Sequence, residues 1–478
     1  MTATAETERA ETPMPNRWIA VVILLMANFM NLIDITIVNV ALPTLKHDLA
    51  APASHIEWIV AGYVFAFALL LLPAGRMGDI LGRRAMFLAG IAVFTSASAL
   101  CGLAPSIEWL VAARLIQGAG GAMMTPQTLA LVPALFPPEE RGGVFSFFAV
   151  AAGLASVAGP ILGGILIALD IFGLGWRPIF LVNVPLGLIA FLGALKMVPA
   201  VPGNRKLGVD VVGILLAGTA LLSLLVVLIE APSMGWQTWM AALLILSPAT
   251  GFAFVRWQIR QARNNRPQLL PLRLIRHPSF LTGSVLAGVL FTAPPGFFLT
   301  FALYLQSGHG LTPLQSGLTT VPYSLGVLAG APVSKRLGNA YLRQRVIAGT
   351  LLLALGFVWL RVVVGQMTGG VTWFWTAPPL LVAGIGLSTT VSPLFQTALA
   401  AATGSDTGSA SGAVQSFQRL GGAFGVAITG GIFFALLGGA AQGDIAAYTR
   451  AETMALLVPV VVSLSMAAFA LWRPLPES

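Results

Sequence analysis

Stretches of about 20 mostly apolar residues, each enough to cross a lipid hydrocarbon core as a helix, recur almost without pause along this chain of 478 residues. They fall at approximately 17–42, 56–75, 85–104, 109–131, 143–168, 176–196, 211–230, 239–256, 279–304, 314–334, 346–365, 375–399, 411–437 and 453–472. Hydrophobic residues make up 57% of the sequence and charged ones 9%, whereas a soluble domain is about 45–50% apolar. No water reaches backbone N–H and C=O groups inside lipid, so a spanning run must bond to itself as a helix. The expected fold class is therefore all-α integral membrane, with fourteen transmembrane helices. The first run reads as a retained span rather than a cleaved leader. Glu6, Glu8 and Glu11 precede it, it is too long, and Asn28, Asn31 and Asp34 interrupt it.

Orientation follows from lysine and arginine, which accumulate in cytoplasmic loops. Most of the 26 fall on the side of the N-terminus, among them Arg76, Arg83, Arg84, Arg141, Lys196, Arg205, Lys206, Lys335, Arg336, Arg343 and Arg345. Lys46, Arg177, Arg361 and Arg450 fall on the other side, and Arg114 and Arg419 lie within runs. Both termini are thus expected in the cytoplasm of a multi-pass protein of the cell membrane. The formal charge of +9 is accounted for by topology, and nucleic acid is not an expected partner. The segment 256–276 carries six arginines and no acid, a composition suited to anionic lipid.

Cys101 is the only cysteine, and His47, His55, His277 and His309 show no zinc-ligand spacing, so neither a disulfide nor a metal site is expected. No GxxxxGK[ST] loop points to ATP as an energy source. No cofactor is expected beyond protons as coupling ion, and no cluster of nucleophile, base and metal ligands suggests an enzyme.

The connections divide the chain into a cytoplasmic tail at 1–16, a six-helix bundle at 17–196, a linker region at 197–277 with spans seven and eight inserted, a second six-helix bundle at 278–472, and a tail at 473–478. With the inserted pair set aside, the loop at 332–345 occupies in the second half the place of 73–84 in the first. It keeps Lys335, Arg336, Gly338, Arg343 and Arg345 but has no aspartate. Paired halves around a central site are a recurring transporter plan.

Few polar groups lie inside the runs, and an ionised one at mid-membrane costs roughly 2.5–3.5 kcal/mol on insertion scales. At 100° per residue, Asn28, Asn31, Asp34 and Asn39 share an arc of about 140°, a polar stripe expected to face a water-filled pathway; bridging between helices is the other reading for the asparagines. Arg114 lies in the fourth run with Gln117 and Gly118 on its face at i+3 and i+4. Asp34, Gln117 or helix-end carbonyls are its available acceptors. Burial and a nearby arginine act in opposite senses on a carboxyl's hold on its proton, so an Asp34–Arg114 contact would suit a proton switch as well as a static pair. In the fifth run Gly153, Ser156, Pro160, Gly163 and Gly164 form a small-residue face, suited either to rocking against a neighbour or to static packing. Glu230 ends the seventh run, as a solvated helix end or a site residue, and Arg419 in the thirteenth is placed to snorkel.

The densest knot of charge and glycine, GRMGDILGRR at 75–84, resembles the signature loop between spans two and three of the major facilitator superfamily, in its fourteen-spanner drug:proton antiporter group. RLIQGAGGA at 114–122 is similar to that group's arginine-centred motif, GLASVAGPILGG at 153–164 to its antiporter motif, and DITIVNVALP at 34–43 to its first-helix motif. WRPIFLVNVPLG at 176–187, YLQSGHGLTPLQSGL at 304–318 and SGAVQSFQRLGGAFGVA at 411–427 are similar to further stretches. Met77 stands where leucine is more usual, and Pro178 follows WR where an aromatic is common.

The resemblance implies two six-helix bundles around a central cavity, with spans seven and eight as an added pair, and alternating access driven by protons. The implied activity is drug:proton antiport that exports small amphipathic or cationic compounds by a monomer. Asp34 and Arg114 become the proton-coupling residues, and Gly75, Gly78, Asp79, Gly82, Arg83 and Arg84 a cytoplasmic gate. Gly153, Gly159, Pro160, Gly163 and Gly164 form the antiporter-motif hinge. Asn31, Asp34, Tyr63, Gln117, Glu230 and Tyr304 are the substrate-binding candidates. A proton-coupled carrier of one specific metabolite, importer or exporter, and a ligand sensor that transports nothing would share the fold.

Overall fold

The computed structural model describes residues 17–136, 144, 151, 154–155, 158–200, 202–203, 208–264, 266–269, 272–337, 341–367, 371–399 and 407–472. Gly153, Ser156, Gly338 and both tails lie outside the described residues, as do the side chains of Lys335 and Arg336. Among the described residues every regular element is helical. The first half contains α1 (Arg17–Asp48), α2 (Ala53–Leu81), α3 (Arg83–Gly102), α4 (Ile107–Leu135), α5 (Ala158–Ala168) and α6 (Pro178–Met197). Then come α7 (Val211–Met234) and α8 (Thr238–Arg263). The second half contains α9 (Pro278–Gly308), α10 (Pro313–Leu337), α11 (Leu342–Gln366), α12 (Trp373–Leu399), α13 (Thr407–Leu437) and α14 (Ile445–Trp472).

Among the described residues, eleven helices are long and apolar enough to cross a membrane. The expected all-helical membrane fold is present, but the count of fourteen is not met on this measure. The described part of α5 is short, and α4 and α10 are absent from the eleven.

Packing groups the helices as two bundles. α4 lies along α2 and α3, and α6 closes against α1 and α3; in the other half α12 lies along α10 and α11, while α13 and α14 close against α9. The bundles meet chiefly where α13 runs along α2, with α1 touching α9 and α10. α7 packs on α2, α13 and α8, whereas α8 packs chiefly on α7 and is almost wholly exposed. Asp210 fastens this peripheral pair. It caps α7 by accepting from Gly213 N at 2.8 Å and also accepts from Trp257 and Gln258 of α8 at 2.8 and 2.6 Å.

Two features set the contact between bundles on the side of the α1–α2 and α9–α10 connections. First, Gln306, in a π-helical turn at Tyr304–Gly308, donates to the Val40 carbonyl at 2.8 Å. Second, α5 presents glycine to both halves. A Cβ at Gly163 would stand 2.9 Å from Ile37 of α1, one at Gly164 would overlap the Leu314 backbone of α10, and one at Gly317 of α10 would overlap the Pro160 carbonyl. Small residues are what allow helices this close, and overpacking a fitted interface costs about 1–3 kcal/mol. Gly164→Leu is expected to slow substrate flux in vesicles by about tenfold with normal membrane insertion; an unchanged rate would show that the α5–α10 contact need not form during transport.

Candidate functional site

Asp34 stands near the middle of α1 with none of its surface exposed. Arg114 of α4 donates from Nη1 to Asp34 Oδ2 and to Gln117 Oε1, the latter at 2.7 Å, and from Nε to the Ile59 carbonyl at 3.1 Å. Gln117 Nε2 lies 2.8 Å from both Asp34 Oδ1 and Ser98 Oγ, and Asn183 Nδ2 of α6 reaches Asp34 Oδ1 at 3.3 Å. The Tyr63 ring faces the guanidinium at 4.1 Å, and its hydroxyl accepts from Asn31 Nδ2 at 2.9 Å. Five helices of one bundle thus converge on a single ion pair.

The helix period explains why the sequence builds this knot. Arg114, Gln117 and Gly118 share one face of α4, and a Cβ at Gly118 would overlap the Tyr63 carbonyl, so α4 lies close enough to α2 for the guanidinium to reach α1. The expectation that the stripe of Asn28, Asn31, Asp34 and Asn39 faces a water-filled pathway needs correction for three of its members: Asn31, Asp34 and Asn39 are 1%, 0% and 9% exposed, while Asn28 is half-buried. A carboxylate supplied with a guanidinium and two amides needs no water. Among the described residues Asn39 bonds only within α1, to the Ile35 carbonyl at 3.4 Å.

The stretch at 75–84 forms the end of α2, one glycine and the start of α3. Gly82 takes φ 99°, a conformation that L side chains rarely adopt, and turns the chain within a single residue. Asp79 pairs with Arg83 at 2.9 Å inside the same turn, and Arg84 donates to the Leu195 carbonyl of α6. A Cβ at Gly78 would overlap the Gln127 side chain of α4, while Gly75 has Pro126 of α4 at 3.7 Å. The loop is therefore fitted onto its own bundle.

The remaining candidates lie elsewhere. Glu230 on α7 accepts from Trp58 Nε1 of α2 at 2.8 Å, tying the peripheral helix to the first bundle. Tyr304 is buried in the second bundle, stacked on Phe301 and against His309 with ring centroids 6.0 and 4.6 Å apart. Arg419 of α13 lies over the Phe67 ring of α2 at 4.7 Å, in the seam between bundles instead of reaching outward. Asn31, Asp34, Tyr63, Arg114 and Gln117 are brought together, whereas Glu230 and Tyr304 are not part of that group.

The sequence profile described as the Major Facilitator Superfamily matches residues 24–426. This chain belongs to that superfamily. It is a transporter of small molecules, not an enzyme, and the resemblance drawn from its motifs is borne out at the level of that superfamily. It is 39% identical over 434 residues to a protein named as a probable actinorhodin transporter from Streptomyces coelicolor, covering 91% of this chain and 75% of that one. It is 32% identical to the multidrug resistance protein Stp of Mycobacterium tuberculosis, over 86% of this chain and 74% of that one. It is also 32% identical to the methylenomycin A resistance protein of Bacillus subtilis, over 86% and 87%. Among solved structures, the fold matches a POT family transporter with TM-score 0.68 at 14% identity, covering 95% of this chain and 98% of that one. A bacterial homologue of the lysosomal transporter Spinster in an inward-facing conformation matches with TM-score 0.65 at 16% identity, covering 96% and 97%.

Three buried polar residues of this facilitator escaped the sequence reading. Asn183 lies inside WRPIFLVNVPLG, where an amide amid apolar neighbours was the available signal. Glu57 is 1% exposed on α2 and Glu452 fully buried on α14; each sits at the edge of an apolar run. At the ion pair, removing one partner strands a buried charge, which costs about 3–5 kcal/mol. Arg114→Met is expected to lower thermal stability in detergent by that order, and Asp34→Asn with Arg114→Met to recover much of it; equal melting of both variants would show the pair to be uncoupled.

Proposed function

We propose that this chain is a proton-coupled exporter of small amphipathic or cationic compounds, working as a fourteen-span monomer of the cell membrane with both termini cytoplasmic. The observation that carries the reading is the sealed Asp34–Arg114–Gln117 knot, a carboxyl held by a cation inside the bundle that must move. Names of two relatives support the direction of transport, since they denote a tetracenomycin C resistance and export protein and a multidrug resistance protein. The fourteen-span count adds α4, α5 and α10 to the eleven apolar helices; α4, with 29 residues, extends about 43 Å at 1.5 Å per residue. α7 and α8 are then the inserted pair.

Positive-inside orientation puts the α1–α2 and α9–α10 connections outside. The contacts of Gly164 with Leu314, Gly317 with Pro160 and Gln306 with Val40 then close the outer side, with Asp34 shut away from it. Opening that side separates α5 from α10 and lets water reach α1. Asp34 takes a proton there, and a neutral carboxyl holds Arg114 less tightly. The freed guanidinium turns to its other acceptors, Gln117 and the Ile59 carbonyl, and α4 shifts against α1. Substrate leaves outward while that side is open, and return to the closed arrangement restores the ion pair and releases the proton inward. A pH difference of one unit supplies about 1.36 kcal/mol and 100 mV about 2.3 kcal/mol per charge, together enough to raise substrate more than tenfold.

Asp34→Asn removes the charge and keeps the shape. Everted vesicles carrying this variant are expected to exchange labelled puromycin across the membrane yet fail to accumulate it when a pH gradient is imposed, a loss of at least tenfold. Accumulation equal to the unmodified protein would take Asp34 out of the coupling.

A further inference from the structure

The second bundle holds a carboxyl with no counterpart to Arg114. Glu452 of α14 is fully buried, and among the described residues neither Oε1 nor Oε2 makes a hydrogen bond of good geometry, although the Thr300 hydroxyl of α9 is within its reach. An ionised carboxylate in such a place is strongly disfavoured unless paired, so the site suits a group that gains and loses a proton. Its surroundings are polar but uncharged. Tyr304 of α9 lies within electrostatic reach, and the hydroxyls of Tyr304 and Thr449 are buried beside one another. His309 packs edge-on against Tyr304 and opens the α9–α10 connection, where burial holds its pKa below the ordinary imidazole value. At neutral pH that histidine is uncharged and able to accept a proton.

The charged groups of the neighbouring helices point elsewhere. Arg361 of α11 is spent on the Thr453 carbonyl at 2.9 Å, and Arg419, the one charged residue of α13, lies over Phe67. Arg343 of α11 bonds the Ala470 and Leu471 carbonyls at the far end of α14. On α14 itself Tyr448 packs against Phe433 of α13, Asp444 caps the helix by accepting from Ala447 N at 3.0 Å, and Arg450 is the helix's other charged residue. The π-helical turn that begins at Tyr304 also carries Gln306, whose bond to Val40 joins the two bundles on this side. Any change at Glu452 that shifts Tyr304 therefore acts on a turn that fastens one bundle to the other.

We propose that Glu452 is a second proton-binding carboxyl, in the second bundle, reached from the α9–α10 connection past His309 and Tyr304. Its protonation state biases the π-turn contact with α1, and so the closure of that side. The proposal rests on the proton-coupled reading and adds a site that the Asp34 knot does not supply. Only a proton moves: the carboxylate gains it from water at the α9–α10 side and returns it to water.

Two measurements test it, the first independent of any substrate. In purified protein in lipid nanodiscs, infrared difference spectra across a pH titration should show a protonated-carboxyl C=O band that Glu452→Gln removes and Asp34→Asn leaves in place. In everted vesicles, Glu452→Gln should retain labelled puromycin exchange, lose at least fivefold in pH-driven accumulation, and recover in part as Glu452→Asp. A titrating band unchanged in Glu452→Gln, with accumulation also unchanged, overturns the proposal while leaving proton coupling through Asp34 intact. Should unmodified protein show no pH-driven accumulation, the coupling reading falls instead, and the infrared band alone then decides whether Glu452 binds a proton. Should Glu452→Gln misfold, the spectra of Glu452→Asp must show the band shifted; an unshifted band overturns the assignment.

Discussion

Everything in the first bundle is arranged around one ion pair that the membrane makes expensive to break. A guanidinium and a carboxylate buried among apolar helices are tolerable only with most of their hydrogen-bonding capacity filled, and here Ile59, Gln117 and Asn183 complete the set begun by Asp34 and Arg114. Satisfying that set fixes the relative positions of α1, α2, α4 and α6. Gly118 follows from it, because any side chain there would hold α4 away from α2. A change at the pair is consequently a change in helix packing, which is how a local proton event can reach the whole bundle.

The second bundle is built differently. Its buried carboxyl, Glu452, has no cation, and its neighbours are hydroxyls and rings. The Asp34 carboxyl is held by a cation, whereas Glu452 has none beside it among the described residues. On the side of the α1–α2 and α9–α10 connections, the contact between halves rests on glycines of α5 and α10 and on the Gln306 bond from a π-helical turn, a set that separates without stranding a charge. α7 and α8 stay outside this arrangement, tied in by Asp210 and by the Trp58–Glu230 bond.

How far this was readable from residues alone depended on what kind of signal each feature gives. Apolar runs announce spanning helices because lipid leaves the backbone no other choice, and Arg114 stood out because charge inside such a run is rare. Spacing on α4 was enough to group Gln117 and Gly118 with it. The direction in which α1 turns its polar stripe was not readable: a stripe toward water and a stripe toward an internal guanidinium have the same period. Glu452 was missed because the apolar run starts at 453, just after it, whereas the helix begins at Ile445, about two turns earlier than hydropathy indicates. Glu57 sits in the second residue of its run, where a carboxylate ordinarily reads as a solvated helix end. Tyr304 was singled out as a ligand residue, but only the fold reveals that its neighbour is a carboxyl from the last helix.

The most direct test of proton coupling runs the cycle backwards with unmodified protein. Liposomes containing the purified protein and a trapped pH-sensitive dye are given an outward puromycin gradient with the membrane potential clamped. Coupled exchange predicts proton movement opposite to the drug, started by the drug gradient and absent without protein. Drug flux through the protein with no accompanying proton movement would contradict the account.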